Sequence, residues 1–139
     1  MNIVPSVGNP HGRDWMGLKW SAWMPLMAAH PLALAQLPAA PGVYRIRRAD
    51  STGEMLWTGW AHAGIRVTVE RLARQVHMPL EPYDDPTGPA LTLWKARVRE
   101  MASFQVSGAQ VDPSSDVVAT LVHEIAKWTR NKTVPSNDG

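Results

Sequence analysis

Apolar and polar positions alternate from Gly42 to Arg47. Val43, Arg45 and Arg47 fall on one side and Tyr44 and Ile46 on the other, which is the period of a β-strand. The cluster Asp50-Ser51-Thr52-Gly53 then reads as a turn, and Met55–Thr58 as a second strand ending at Gly59, so the two form a hairpin. After Gly64 the period changes. Ile65, Val69, Leu72 and Val76 recur at helical spacing on one face, with Arg66, Glu70, Arg74 and His77 opposite and Arg71 on the flank. Residues 78–90 contain four prolines and read as a loop. A short helix over 91–101 and a third strand over 103–106 follow. A last helix starts near Ser114 or Ser115, with Val117, Val118, Leu121, Ile125 and Trp128 as its apolar face and Glu124 beside it.

The beginning of the chain is of a different kind. Residues 1–13 are rich in Pro, Gly and Asn and read as a loose arm. From Asp14 to Leu37, Trp20, Trp23, Met24 and Met27 fall at helix-face spacing, interrupted by Pro25 and Pro31, which predicts two short helical pieces. Such a Trp/Met stripe is a core or interface face more often than a cofactor pocket. The element order predicts an α+β domain: a small, mainly antiparallel three-stranded sheet flanked by helices, with an N-terminal helical extension.

Composition narrows the chemistry. The chain has 139 residues, 45% of them hydrophobic, with seven Trp, enough for one domain with a real core. It has no Cys, which removes disulfide scaffolds, thiolate zinc sites and cysteine nucleophiles. No apolar run reaches membrane-spanning length and the N-terminus lacks a signal-peptide layout, so the expectation is a soluble, cytoplasmic protein with no membrane partner. The net charge is only +2, from 14 Lys and Arg against 12 Asp and Glu. Between Arg45 and Arg99, however, eight of nine basic residues are Arg, the side chain suited to bidentate phosphate contact. By charge alone this describes a solvated surface before it describes a phosphate site. The five His have no metal-ligand spacing, and phosphate-loop and nucleophile-elbow patterns are absent.

The segment 37–44, Leu-Pro-Ala-Ala-Pro-Gly-Val-Tyr, followed by Leu56-Trp57-Thr58-Gly59, resembles the two-part signature of the GIY-YIG nuclease family. The matching order covers about residues 37–137, leaving 1–36 as the extension. Trp57 stands where the second motif usually carries Tyr, and Trp60 where many members carry Lys, with Lys95 as a substitute cation. The resemblance implies hydrolysis of a DNA phosphodiester with a single divalent metal, Mg²⁺ or Mn²⁺. It implies Tyr44 as base or proton relay and Glu124 as metal ligand. A phenol with pKa near ~10 needs a neighbouring cation to serve at neutral pH. For the arginine that neutralises the phosphate, Arg71-Leu72 resembles the family's Arg-Leu pair. Arg74 paired with His77 competes, Arg66 is third, and His77 is the candidate proton shuttle. Pro135-Ser136-Asn137 resembles the family's ending, with Asn131 as alternative. DNA contacts would come from Trp57, Trp60, Arg66, Arg74, Lys95 and Arg97. The Trp/Met-rich extension is a candidate homodimer or partner-protein face. Two other readings stand beside the nuclease: the same fold with a disabled centre that binds DNA or a protein, and a structural protein with no such site.

Overall fold

The computed structural model describes residues 9, 11–27, 31–50, 53–82 and 89–112. Its elements are a 3-10 turn Trp15–Gly17, β1 (Met24–Pro25), α1 (Pro31–Leu34), β2 (Gly42–Arg48), β3 (Met55–Ala61), α2 (Ile65–Val76), α3 (Pro89–Glu100) and β4 (Phe104–Gln110). The four strands form one antiparallel sheet in the order β1-β4-β2-β3. The expected last helix, with Glu124, Asn131 and Asn137, lies outside the described residues.

The hairpin and α2 form where the periodicities place them, and Ile65, Val69, Leu72 and Val76 are all buried. β3 continues through Gly59 to Ala61, because Gly59 stays paired with Tyr44 and Ala61 with Gly42. Leu56 is the extra residue of a bulge opposite Ile46 and Arg47, which turns it into the main core.

The N-terminal stretch departs furthest from expectation. The two short helical pieces shrink to the 3-10 turn Trp15–Gly17 and the four-residue α1, and between them Ser21 to Leu26 runs extended along β4. The Ser21 N–H donates to the Gly108 carbonyl at 2.8 Å and the Leu26 N–H to the Phe104 carbonyl at 3.0 Å. The Ser107 hydroxyl donates to the Ser21 carbonyl at 2.8 Å. This segment supplies a fourth strand in place of the expected three. An open edge of β4 presents unpaired backbone groups, and Pro25, which would break a helix, is tolerated in an edge strand.

The sheet is covered on both faces. On one, Tyr44, Ile46, Phe104 and Val106 pack with the buried stripes of α2 and α3, among them Leu93 and Ala96. On the other, Val43, Ala109 and Val111 pack under Trp15 and Trp20.

Both ends of α2 are held by neighbours. At its start, the Ile65 N–H donates to the Ala40 carbonyl at 3.0 Å and the Arg66 N–H to the Pro38 carbonyl at 3.1 Å. The Arg66 guanidinium reaches the Leu37 carbonyl through Nε at 3.1 Å and Nη2 at 3.0 Å. The preceding Gly64 has φ +120, and a Cβ there would clash with the Ala39 carbonyl oxygen. Residues 37–40 therefore act as a backbone cap for α2, satisfying donors that a helix start leaves open. At its end, Arg97 Nε donates to the Val76 carbonyl at 2.7 Å. Arg97 Nη2 and Trp94 Nε1 both donate to the Met78 carbonyl, at 2.9 Å.

Candidate functional site

Tyr44 is the residue on which a hydrolytic centre would turn. Its side chain is 5% exposed and lies in the main core, across β3 with its hydroxyl over Gly59. Burial pushes its phenol up to about 12, and a hydrogen bond from the Trp57 indole draws it back only in part. A phenol so placed keeps its proton at neutral pH, and its basic form is scarcer there than that of free tyrosine. Tyr44→Phe removes one hydrogen bond from a half-exposed indole that water can reach. The variant is expected to lose no more than about 1 kcal/mol in denaturant unfolding. An ultraviolet titration should show one Tyr ionising only above about pH 11 while the protein stays folded, consistent with a phenol at about 12.

Among the described candidates, the structure brings Tyr44 and Trp57 together and holds the others apart from them. Register places Trp57 on the Tyr44 face of the sheet and Trp60 on the opposite face, beside Val43. Trp60 packs against the Trp15–Trp20 cluster, with its ring 5.6 Å from that of His62, edge to face. Arg71 and Arg74 are exposed, on the side of α2 turned away from the buried stripe and so from Tyr44. Arg66 and Arg97 are engaged as backbone caps. His77 caps the end of α2, with Nδ1 2.9 Å from the Ala73 carbonyl. The start of that helix lies over Gly42 and Gly108, next to Tyr44, and its 12 residues span roughly 18 Å. His77 instead borders a cavity of about 200 Å³ at the other end, lined by Pro25, Leu26, Ala102 and Phe104. Lys95 is half-buried on α3. Glu124, the expected metal ligand, lies outside the described residues.

A hard divalent cation needs oxygen ligands, carboxylates above all. The described surroundings of Tyr44 are apolar, and no charged group perturbs its phenol. Among the described residues no three His, Asp or Glu side chains converge. The described part of the site does not match a Mg²⁺ or Mn²⁺ centre at Tyr44.

The opposite face holds a constellation that the periodicity reading missed. Arg45 is fully buried, its guanidinium carbon 4.2 Å from the Trp20 ring centroid, 4.4 Å from that of Trp23 and 5.9 Å from that of Trp15. Arg47 lies 4.0 Å from the Trp23 centroid and donates through Nε to Gln105 at 2.9 Å. Burial, then the charge of Arg47, pulls Arg45 down to about 9, so it remains cationic at neutral pH. The ring faces supply the electrostatic partner. The signal was present in the one-sided run Val43, Arg45, Arg47. It was missed because Trp20 and Trp23 fit a helix face.

No described helix is long and apolar enough to cross a membrane. Comparison with protein-family models, with curated proteins and with solved structures gives no match.

Proposed function

We propose that this domain binds the DNA backbone with the outer faces of α2 and α3, and that its GIY-YIG-like hairpin serves packing rather than proton transfer. The observation that carries the reading is the buried Tyr44 phenol, pushed up to about 12 in apolar surroundings. Support for the ligand comes from charge. Arg71 and Arg74 on α2 and Lys95 and Arg99 on α3 lie on two helices that pack side by side, and none of the four forms an ion pair among the described residues. Cations in that arrangement suit a phosphate backbone and carry no sequence preference of their own.

Arg71→Glu combined with Arg74→Glu is expected to weaken binding to a DNA duplex at least tenfold, measured by fluorescence anisotropy at fixed salt. The slope of log affinity against log salt should fall by about 2, since each phosphate contact contributes ~0.9. Unchanged affinity and slope would remove α2 from the interface.

The chain order supports a second reading. Gly42-Val43-Tyr44 and Trp57-Thr58-Gly59 stand on adjacent strands followed by an Arg-bearing helix, as the resemblance to GIY-YIG nucleases requires. Under it, Glu124 would hold Mg²⁺ or Mn²⁺ and the protein would nick DNA. It ranks second because its base would be a tyrosine hydroxyl buried in the apolar core.

A further inference from the structure

We infer that residues 11–23 form a pH-sensitive strap over the second face of the sheet, latched by the neutral imidazole of His11 against Arg47. His11 Nδ1 lies 3.1 Å from Arg47 Nη1. A guanidinium only donates, so Nδ1 must accept and the ring proton must sit on Nε2. A protonated ring has donors at both nitrogens and would set two cations against each other at that distance. The latch therefore exists only with the neutral ring.

The rest of the strap hangs on the same point. Trp23 Nε1 donates to the His11 carbonyl at 3.0 Å, and the Trp23 ring rests on both Arg45 and Arg47. The His11 and Trp23 rings lie 6.1 Å apart. Losing the His11–Arg47 contact loosens the ring that roofs both arginines. The groups facing His11 are known from each side. β2 presents Arg45 and Arg47, and β4 presents Gln105, which is already bonded to Arg47. The β2–β3 turn approaches through Gly53, near Asp50 and Glu54 in sequence, and the strap itself carries Asp14. Of these, only Arg47 and Arg45 act on the ring charge, and both oppose it, adding to burial to hold its pKa below 6.5. The folded state thus binds fewer protons than the unfolded chain. The strap's stability is complete above pH about 6.5 and declines as pH falls towards and through the lowered folded value.

The test is an NMR titration of the full chain from pH 7.5 to 5.0, with the Trp23 indole signal identified by its absence in Trp23→Phe. The inference expects Trp23 indole exchange to rise at least tenfold, with the same midpoint as the His11 ring protons, while the β2–β4 amides hold their positions. His11→Gln keeps a neutral acceptor for Arg47 and should abolish the transition. A Trp23 indole that stays protected while His11 titrates would overturn the inference. So would the same transition in His11→Gln, or collapse of the whole sheet over that range.

Discussion

Trp20→Ala should lower the stability of the domain by about 3–5 kcal/mol in denaturant unfolding, the range for removing a fully buried large aromatic. Three losses combine. The ring is 2% exposed and stacks on Trp15 with centroids 5.8 Å apart. Its Nε1 donates to the Trp15 carbonyl at 2.8 Å, which ties the 3-10 turn to the extended segment. It is also the nearest aromatic face to the buried Arg45 guanidinium. Removing it leaves a cavity next to a charge that has already been taken out of water, and such a charge is costly when its compensation is withdrawn. Trp60→Ala is the control. That residue is half-buried at the rim of the same cluster, and its loss should cost roughly 1–2 kcal/mol. Equal effects would contradict the larger cost assigned to the buried Trp20 and its stack on Arg45.

Gly42→Ala should be among the most damaging single-methyl changes at the described glycines, at about 3 kcal/mol, the upper end for overpacking. A Cβ at Gly42 would sit beside the Ala109 carbonyl oxygen and the Gln110 Cα, both backbone, and 2.7 Å from Ile65 Cδ1. Side chains can swing aside, but β4 cannot retreat from β2 without breaking the ladder between them. Gly17→Ala gives the comparison: φ is +73 with nothing within 4 Å, so only backbone strain of about 1–2 kcal/mol applies. Thermal melts of the two variants separate the terms. Since Gly42 opens the motif on which the nuclease resemblance rests, the outcome also bears on function. A large stability loss identifies the glycine as a packing requirement, whereas a stable, DNA-defective variant would assign it to the ligand.

The hairpin and α2 were legible in the sequence because each carries its own period, whereas α3 starts at Pro89, inside the stretch whose prolines read as a loop. The N-terminal segment was not legible, since Trp20, Trp23, Met24 and Met27 fit a helix face as well as an extended chain. What decided between them was the open edge of β4, some 80 residues further on, and no local pattern can signal such a partner. Site residues divide along the same line. Exposure of Arg71 and Arg74 followed from the helical period. The capping roles of Arg66 and Arg97 depend on carbonyls of other elements, and the sequence gives no sign of them. Tyr44 shows the limit most clearly: strand alternation placed it on one face of the sheet, but only the packing of α2 and α3 reveals that this face is sealed.

The central claim is that Tyr44 is a packing residue in a domain that holds DNA without cutting it. Its most direct test is a supercoiled-plasmid assay with Mg²⁺ or Mn²⁺, comparing wild type, Tyr44→Phe and Glu124→Ala and reading gel shift and nicking from the same samples. The account predicts equal shifts from all three proteins and no metal-dependent nicking by any. Metal-dependent nicking by wild type that both substitutions abolish would contradict it and restore the nuclease.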